Sequence, residues 1–140
     1  MNIAALITWI ITALGGFYML GTWLARGGAR GGSHLPVPVI FGHFALAATG
    51  LIIWIIYLII DMNVLAWIAL GLLVLVAVLG FVMLSRWIPV YRSRTAALAA
   101  GELTTPAERH FPVAVVAGHG LFAVATVILV LLSALDIGGS

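Results

Sequence analysis

The chain has 140 residues, of which 64% are hydrophobic and only 7% charged, whereas soluble domains carry roughly 25% charged residues. Its net charge of +2 comes from six basic residues, all arginine, against four acids, too few for a nucleic-acid surface. The composition reads as an integral membrane protein, and the absence of cysteine excludes disulfides, thiolate metal sites and iron–sulfur clusters.

The N-terminal Met1-Asn2-Ile3-Ala4 lacks the positive region that opens a signal peptide, and its apolar run is too long for one. It reads as a retained transmembrane helix. Four runs reach the roughly 20 residues needed to span a bilayer: about Ile3 to Leu24, Pro36 to Ile60, Val64 to Ile88, and Pro112 to Leu135. Helices are expected because a helix satisfies its own backbone hydrogen bonds in lipid.

The connections differ. A Gly-rich stretch from Arg26 to Leu35 reads as a flexible loop, and Asp61-Met62-Asn63 as a tight turn joining an antiparallel hairpin. The longest loop is expected from about Pro89 to Phe111. Within it, Thr105-Pro106-Ala107-Glu108 fits a capping box with proline at the first helical position. Glu102 and Glu108 are assigned to this loop, with no buried acid accompanying the histidines.

Arg26, Arg30, Arg86, Arg92, Arg94 and Arg109 lie at or in the first and third loops, while Asp61 and Asp136 lie at the opposite end. The positive-inside rule then makes both long loops cytoplasmic and both termini external. The expected location is a bacterial inner membrane crossed several times. Trp23, Trp87 and Tyr91 fit an inner aromatic belt, and Trp54, Tyr57 and Trp67 an outer one. Thr8, Thr12, Thr49 and Thr126 can each bond back to their own helix.

The sequence H-x-P-V-x-V-x-x-G-H occurs twice, over 34–43 and 110–119, and these two copies hold all four histidines. The odd-numbered spans share G-F-x-M-L-x-x-W, over 16–23 and 80–87. The expected fold is an all-α antiparallel four-helix transmembrane bundle and a single domain. It is built from two tandem helical hairpins, about 1–60 and 64–140, related by a pseudo-two-fold axis along the membrane normal.

That symmetry sets His43 and His119 at one depth, facing each other from parallel helices. At about 1.5 Å per residue each lies roughly 10 Å inside its span. Ionisable residues in a span are rare and face the bundle interior. Two facing imidazoles suit bis-histidine ligation of haem iron, since bundle cores commonly hold cofactors. Gly16, Gly80, Gly42 and Gly118 could leave room for the macrocycle, or simply permit close helix approach. Arg26, Arg30, Arg92, Arg94 and Arg109 are available to haem propionates. His34 and His110, nearer the interface, could bond the propionates or form a second, shallower site.

In layout the chain resembles the four-helix membrane cytochromes of b type, which hold haem between histidines on different helices; here that rests on His43 and His119. The runs Gly15-Gly16-Phe17-Tyr18 and His110-Phe111-Pro112-Val113 are similar to those of small four-span bacterial membrane proteins, which implies no activity. The resemblance to the cytochromes implies haem b and electron transfer within the membrane, to or from quinone or a larger complex. Two other classes remain open: a structural or assembly subunit without a cofactor, and a small metal or proton transporter, including an oligomeric pore. The apolar outer half of the bundle disfavours the transporter. Nucleophile triads, Gly-rich phosphate loops and H-E-x-x-H motifs are absent.

Overall fold

The structure, a computed structural model, describes residues 1–93 and 105–137. Arg94 and Glu102 lie outside them. The described residues form four long helices: α1 (Asn2–Ala25), α2 (Val37–Ile60), α3 (Asn63–Arg92) and α4 (Val113–Ala134). Each is long and apolar enough to cross a membrane. The shortest, α4, has 22 residues and so reaches about 33 Å, against a hydrocarbon core of about 30 Å. The outward faces are apolar as well. On α1, Ile3, Ile7, Ile10, Leu14 and Phe17 form one exposed stripe at helical spacing, and on α4 Leu121, Val124, Ile128 and Leu131 form another.

Proline sets the start of two helices. Pro36 and Pro112 stand extended at the N-caps of α2 and α4, with no side-chain cap at either. At the other end of α2, Asp61 adopts φ 52°, and its N–H donates to the Tyr57 carbonyl at 2.9 Å. Aspartate tolerates this left-handed conformation better than most residues. The chain reverses within Asp61-Met62 and enters α3 at Asn63. That end is tied again where the Asn63 side-chain amide donates to Asp136 at 3.3 Å.

The third helix outlasts its expected end at Ile88 and continues through Pro89 to Arg92. A proline this close to a C-terminus removes one hydrogen bond and leaves only a single turn beyond it. The Gly-rich connection is also more ordered than its composition suggests. Gly28–Arg30 forms a 3-10 turn between Gly27 and Gly31, which take φ 77° and 90°. Gly28 is packed so closely on the Trp23 indole that a Cβ would clash with it.

α1 packs mainly on α4 and α2 on α3, with α3 against α4 completing the core. The seam between α1 and α2 is thin. A hydroxyl contact fastens the α1–α4 pair: Thr126 Oγ1 donates to the Phe122 carbonyl of its own helix at 2.7 Å and lies 3.0 Å from Thr8 Oγ1 on α1. The back-bonding expected of Thr126 therefore coexists with a link between helices.

Two apolar clusters sit at opposite ends. One joins Ala5, Trp9, Trp54, Tyr57, Ala66, Ala69, Leu73, Val130 and Ala134; the other joins Trp23, Leu35, Ile40 and Ala107. Trp23, Trp54, Tyr57 and Trp87 are thus core residues, not the belt residues their positions suggested, whereas Trp67 and Tyr91 are exposed. The reason is volume: small neighbours such as Ala5, Ala66 and Ala69 leave space between backbones that indole and phenol rings fill.

Between the clusters' loop end and the arginine-rich side, the first connection docks on the segment before α4. The Ala107 N–H donates to the Gly32 carbonyl at 2.7 Å. Glu108 is fully buried, correcting the reading that no buried acid accompanies the histidines. Its Oε2 accepts the Ser33 hydroxyl at 2.7 Å, and its Oε1 accepts the His34 backbone N–H at 2.8 Å. The His34 imidazole Nδ1 lies 3.2 Å from the same Oε1, and the Glu108 carbonyl accepts the Trp87 indole N–H at 3.1 Å. The expected capping box does not form: Ala107–His110 is a 3-10 turn without a side-chain cap. The reciprocal bond is lost because the carboxyl gains more from three donors in the other connection than from one local N–H.

Candidate functional site

His43 extends from α2 and His119 from α4, each seven residues or fewer from the start of its helix. Their ring centres lie 6.2 Å apart with the planes inclined at 47°. Both rings are part-buried, in the level between the two apolar clusters. The residues that come together are therefore the second histidines of the two repeated motifs.

Each ring is anchored to the backbone of a neighbouring helix. His43 Nδ1 lies 2.9 Å from the Val76 carbonyl on α3, and His119 Nδ1 lies 2.8 Å from the Thr12 carbonyl on α1. A carbonyl only accepts, so Nδ1 carries the proton in both rings. In the neutral imidazole Nε2 then keeps its lone pair. A metal-binding histidine has this arrangement: the second nitrogen fixes tautomer and ring orientation while the first is left for the ligand.

Glycines seat both rings. A Cβ on Gly16 would stand 3.2 Å from His119 Cε1, and one on Gly80 would stand 3.4 Å from His43 Cε1. Gly15 adds a second close approach, 3.4 Å from His119 Cβ. Gly16 and Gly80 therefore touch the edge of an imidazole. Gly42 and Gly118 do not: a Cβ would meet only Leu79 at 3.7 Å in the first case and nothing within 4 Å in the second.

The other histidines lie elsewhere. His34 is held by Glu108, with its side chain 66% exposed, and His110 Nδ1 lies 3.3 Å from the Ala107 carbonyl. Arg26 and Arg30 are exposed. The Arg109 Nε is buried with no hydrogen-bond partner among the described residues. Among those residues, no three His, Cys, Asp or Glu side chains converge on one point.

Sequence reasoning missed Glu108, Thr12 and Val76. The two backbone carbonyls that accept from the rings had no side-chain signal at all. They do stand one turn before Gly16 and Gly80 in the shared pattern, which was the available hint. No protein-family model, curated protein or solved structure matches the chain.

Proposed function

We propose that this chain is a small multi-pass membrane haem protein in which His43 and His119 would hold a b-type haem. The observation that carries the reading is the matched pair of imidazoles, each with Nδ1 anchored to a carbonyl and ring centres 6.2 Å apart. Two Nε2 acceptors cannot hydrogen-bond to each other, so the pairing suits a shared electron-pair acceptor. A donor set of two imidazoles fits an iron that brings four equatorial nitrogens of its own better than an ion that needs a third or fourth protein ligand.

When bound, haem would supply reversible one-electron transfer, and the proposed role is to carry electrons within the membrane or to a larger complex. The protein's part is to hold both rings at fixed tautomer and orientation, and to keep the site apolar with the clusters on either side. Arg109, whose Nε has no hydrogen-bond partner among the described residues, is the arginine assigned to a propionate, with Arg26 and Arg30 available in the first connection.

The repeat reading is supported by the same contacts. Thr12 and Val76 each stand one turn before the matched glycines Gly16 and Gly80, and each holds the matched histidine of the other pair. We assign both arginine-rich connections to the cytoplasmic side. Cysteines introduced at the exposed positions Ala29 and Ser93 should stay unlabelled by an impermeant thiol reagent in intact cells, while one at Met62 is labelled. The opposite pattern would reverse the orientation.

The function is tested by titrating haem into the detergent-purified protein and following the Soret band. Wild type should saturate at one haem per chain. Gly16→Leu and Gly80→Leu should fail to bind, because the added side chain displaces the ring it touches. Gly21→Leu, where a Cβ meets nothing within 4 Å, should bind as wild type does. Haem binding that ignores Gly16 and Gly80 would place it outside this site.

A further inference from the structure

A second feature lies at the arginine-rich end of α3 and is independent of haem. Arg86, Pro89, Val90 and Ser93 fall at i, i+3, i+4 and i+7, one face of the helix. With Ser85 and with His34 from the first connection, they line an open groove of about 450 Å³. Its floor is apolar, from Pro89 and Val90. Arg86 brings a guanidinium to this lining and His34 an imidazole, whose Nε2 keeps an acceptor lone pair once its Nδ1–H faces Glu108.

The hydrogen-bonding character of the groove narrows the ligand. The Ser85 hydroxyl donates to the Val82 carbonyl at 2.8 Å and the Ser93 hydroxyl to the Val90 carbonyl at 3.1 Å, so each oxygen has only acceptor capacity left for a ligand. Pro89 has no N–H, which leaves the Ser85 carbonyl one turn back without its usual helical donor. A cationic donor for an anion, Arg86, therefore stands beside acceptors for hydroxyls, above an apolar floor. Among the described residues Arg86 makes no ion pair, the single pair there being His34 with Glu108.

We propose that this groove binds the headgroup of an anionic phospholipid bearing free hydroxyls, with the phosphate on Arg86 and a headgroup hydroxyl donating to His34 Nε2. Its place at the end of a spanning helix, where the chain leaves the apolar layer, favours a lipid over a soluble phosphate. Basic pockets at this depth bind acidic headgroups, and each cation near the surface contributes about 1 kcal/mol. Glu108 acts behind the site by fixing His34.

The test is native mass spectrometry of the protein released from mixed vesicles of phosphatidylglycerol and phosphatidylcholine. Wild type should retain phosphatidylglycerol preferentially. Arg86→Gln should lower that preference about fivefold, His34→Gln should also lower it, and Arg86→Lys should largely keep it, which separates charge from packing. Arg92→Gln, removing a charge from the same helix end but outside the groove, should lower it less than Arg86→Gln does. The proposal is overturned if wild type shows no preference, if Arg92→Gln acts as strongly as Arg86→Gln, or if millimolar inorganic phosphate strips the lipid, which would mark a soluble-phosphate site.

Discussion

His43→Ala and His119→Ala should each abolish the Soret band of haem-supplemented protein while the chain still inserts and purifies. The expected loss of haem affinity is large. Removing an outer-shell partner of a ligating histidine costs about 10–100-fold, so removing the ligand itself should exceed about 100-fold. Neither ring has a substitute nearby, since His34 is held by Glu108 and His110 faces the Ala107 carbonyl. His34→Ala and His110→Ala should therefore retain haem, with at most a shifted spectrum or potential. Insertion should survive both core substitutions because each ring contributes a single hydrogen bond, to Val76 or Thr12, and the spans stay apolar without it. Retention of haem by both single variants would place the ligands elsewhere.

Glu108→Ala should destabilise the protein by about 3 kcal/mol and release the first connection from the segment before α4. The carboxyl is fully buried and accepts from the Ser33 hydroxyl and the His34 backbone N–H, with the His34 imidazole beside it. Truncation strands those donors, each costing about 1–3 kcal/mol where water cannot replace the acceptor. Water does reach the exposed His34 ring, which limits the loss. Glu108→Gln keeps the shape and one acceptor oxygen, so its cost should be about half as large. Thermal unfolding in detergent measures the stability change, and hydrogen exchange at the His34 amide measures the undocking. A Glu108→Ala protein with unchanged melting and a protected His34 amide would show that the clasp contributes nothing.

The spans were legible because hydropathy and length alone define them, and the turn at Asp61 because only three residues separate two apolar runs. The meeting of His43 with His119 was legible in the repeated motif, which placed both histidines at the same point of their helices. Glu108 was not. Its burial depends on Ser33 and His34, 75 and 74 residues away, and a local capping pattern offered a competing partner. The end of α3 lies beyond the expected Ile88 because the apolar run stops there while the helix does not, the one hydrogen bond missing at Pro89 being tolerable in a last turn. The aromatic residues were misplaced because interface depth and core packing both favour tryptophan. Only the small residues opposite decide between them.

The central claim is that two imidazoles ligate one iron, and electron paramagnetic resonance of the oxidised, haem-loaded protein tests it most directly. Wild type should give the low-spin ferric signal of six-coordinate iron with two nitrogen axial ligands, and any residual haem in His119→Ala should be high-spin. A silent spectrum after haem supplementation, or a low-spin signal that persists when His43 and His119 are both replaced by alanine, would contradict the account.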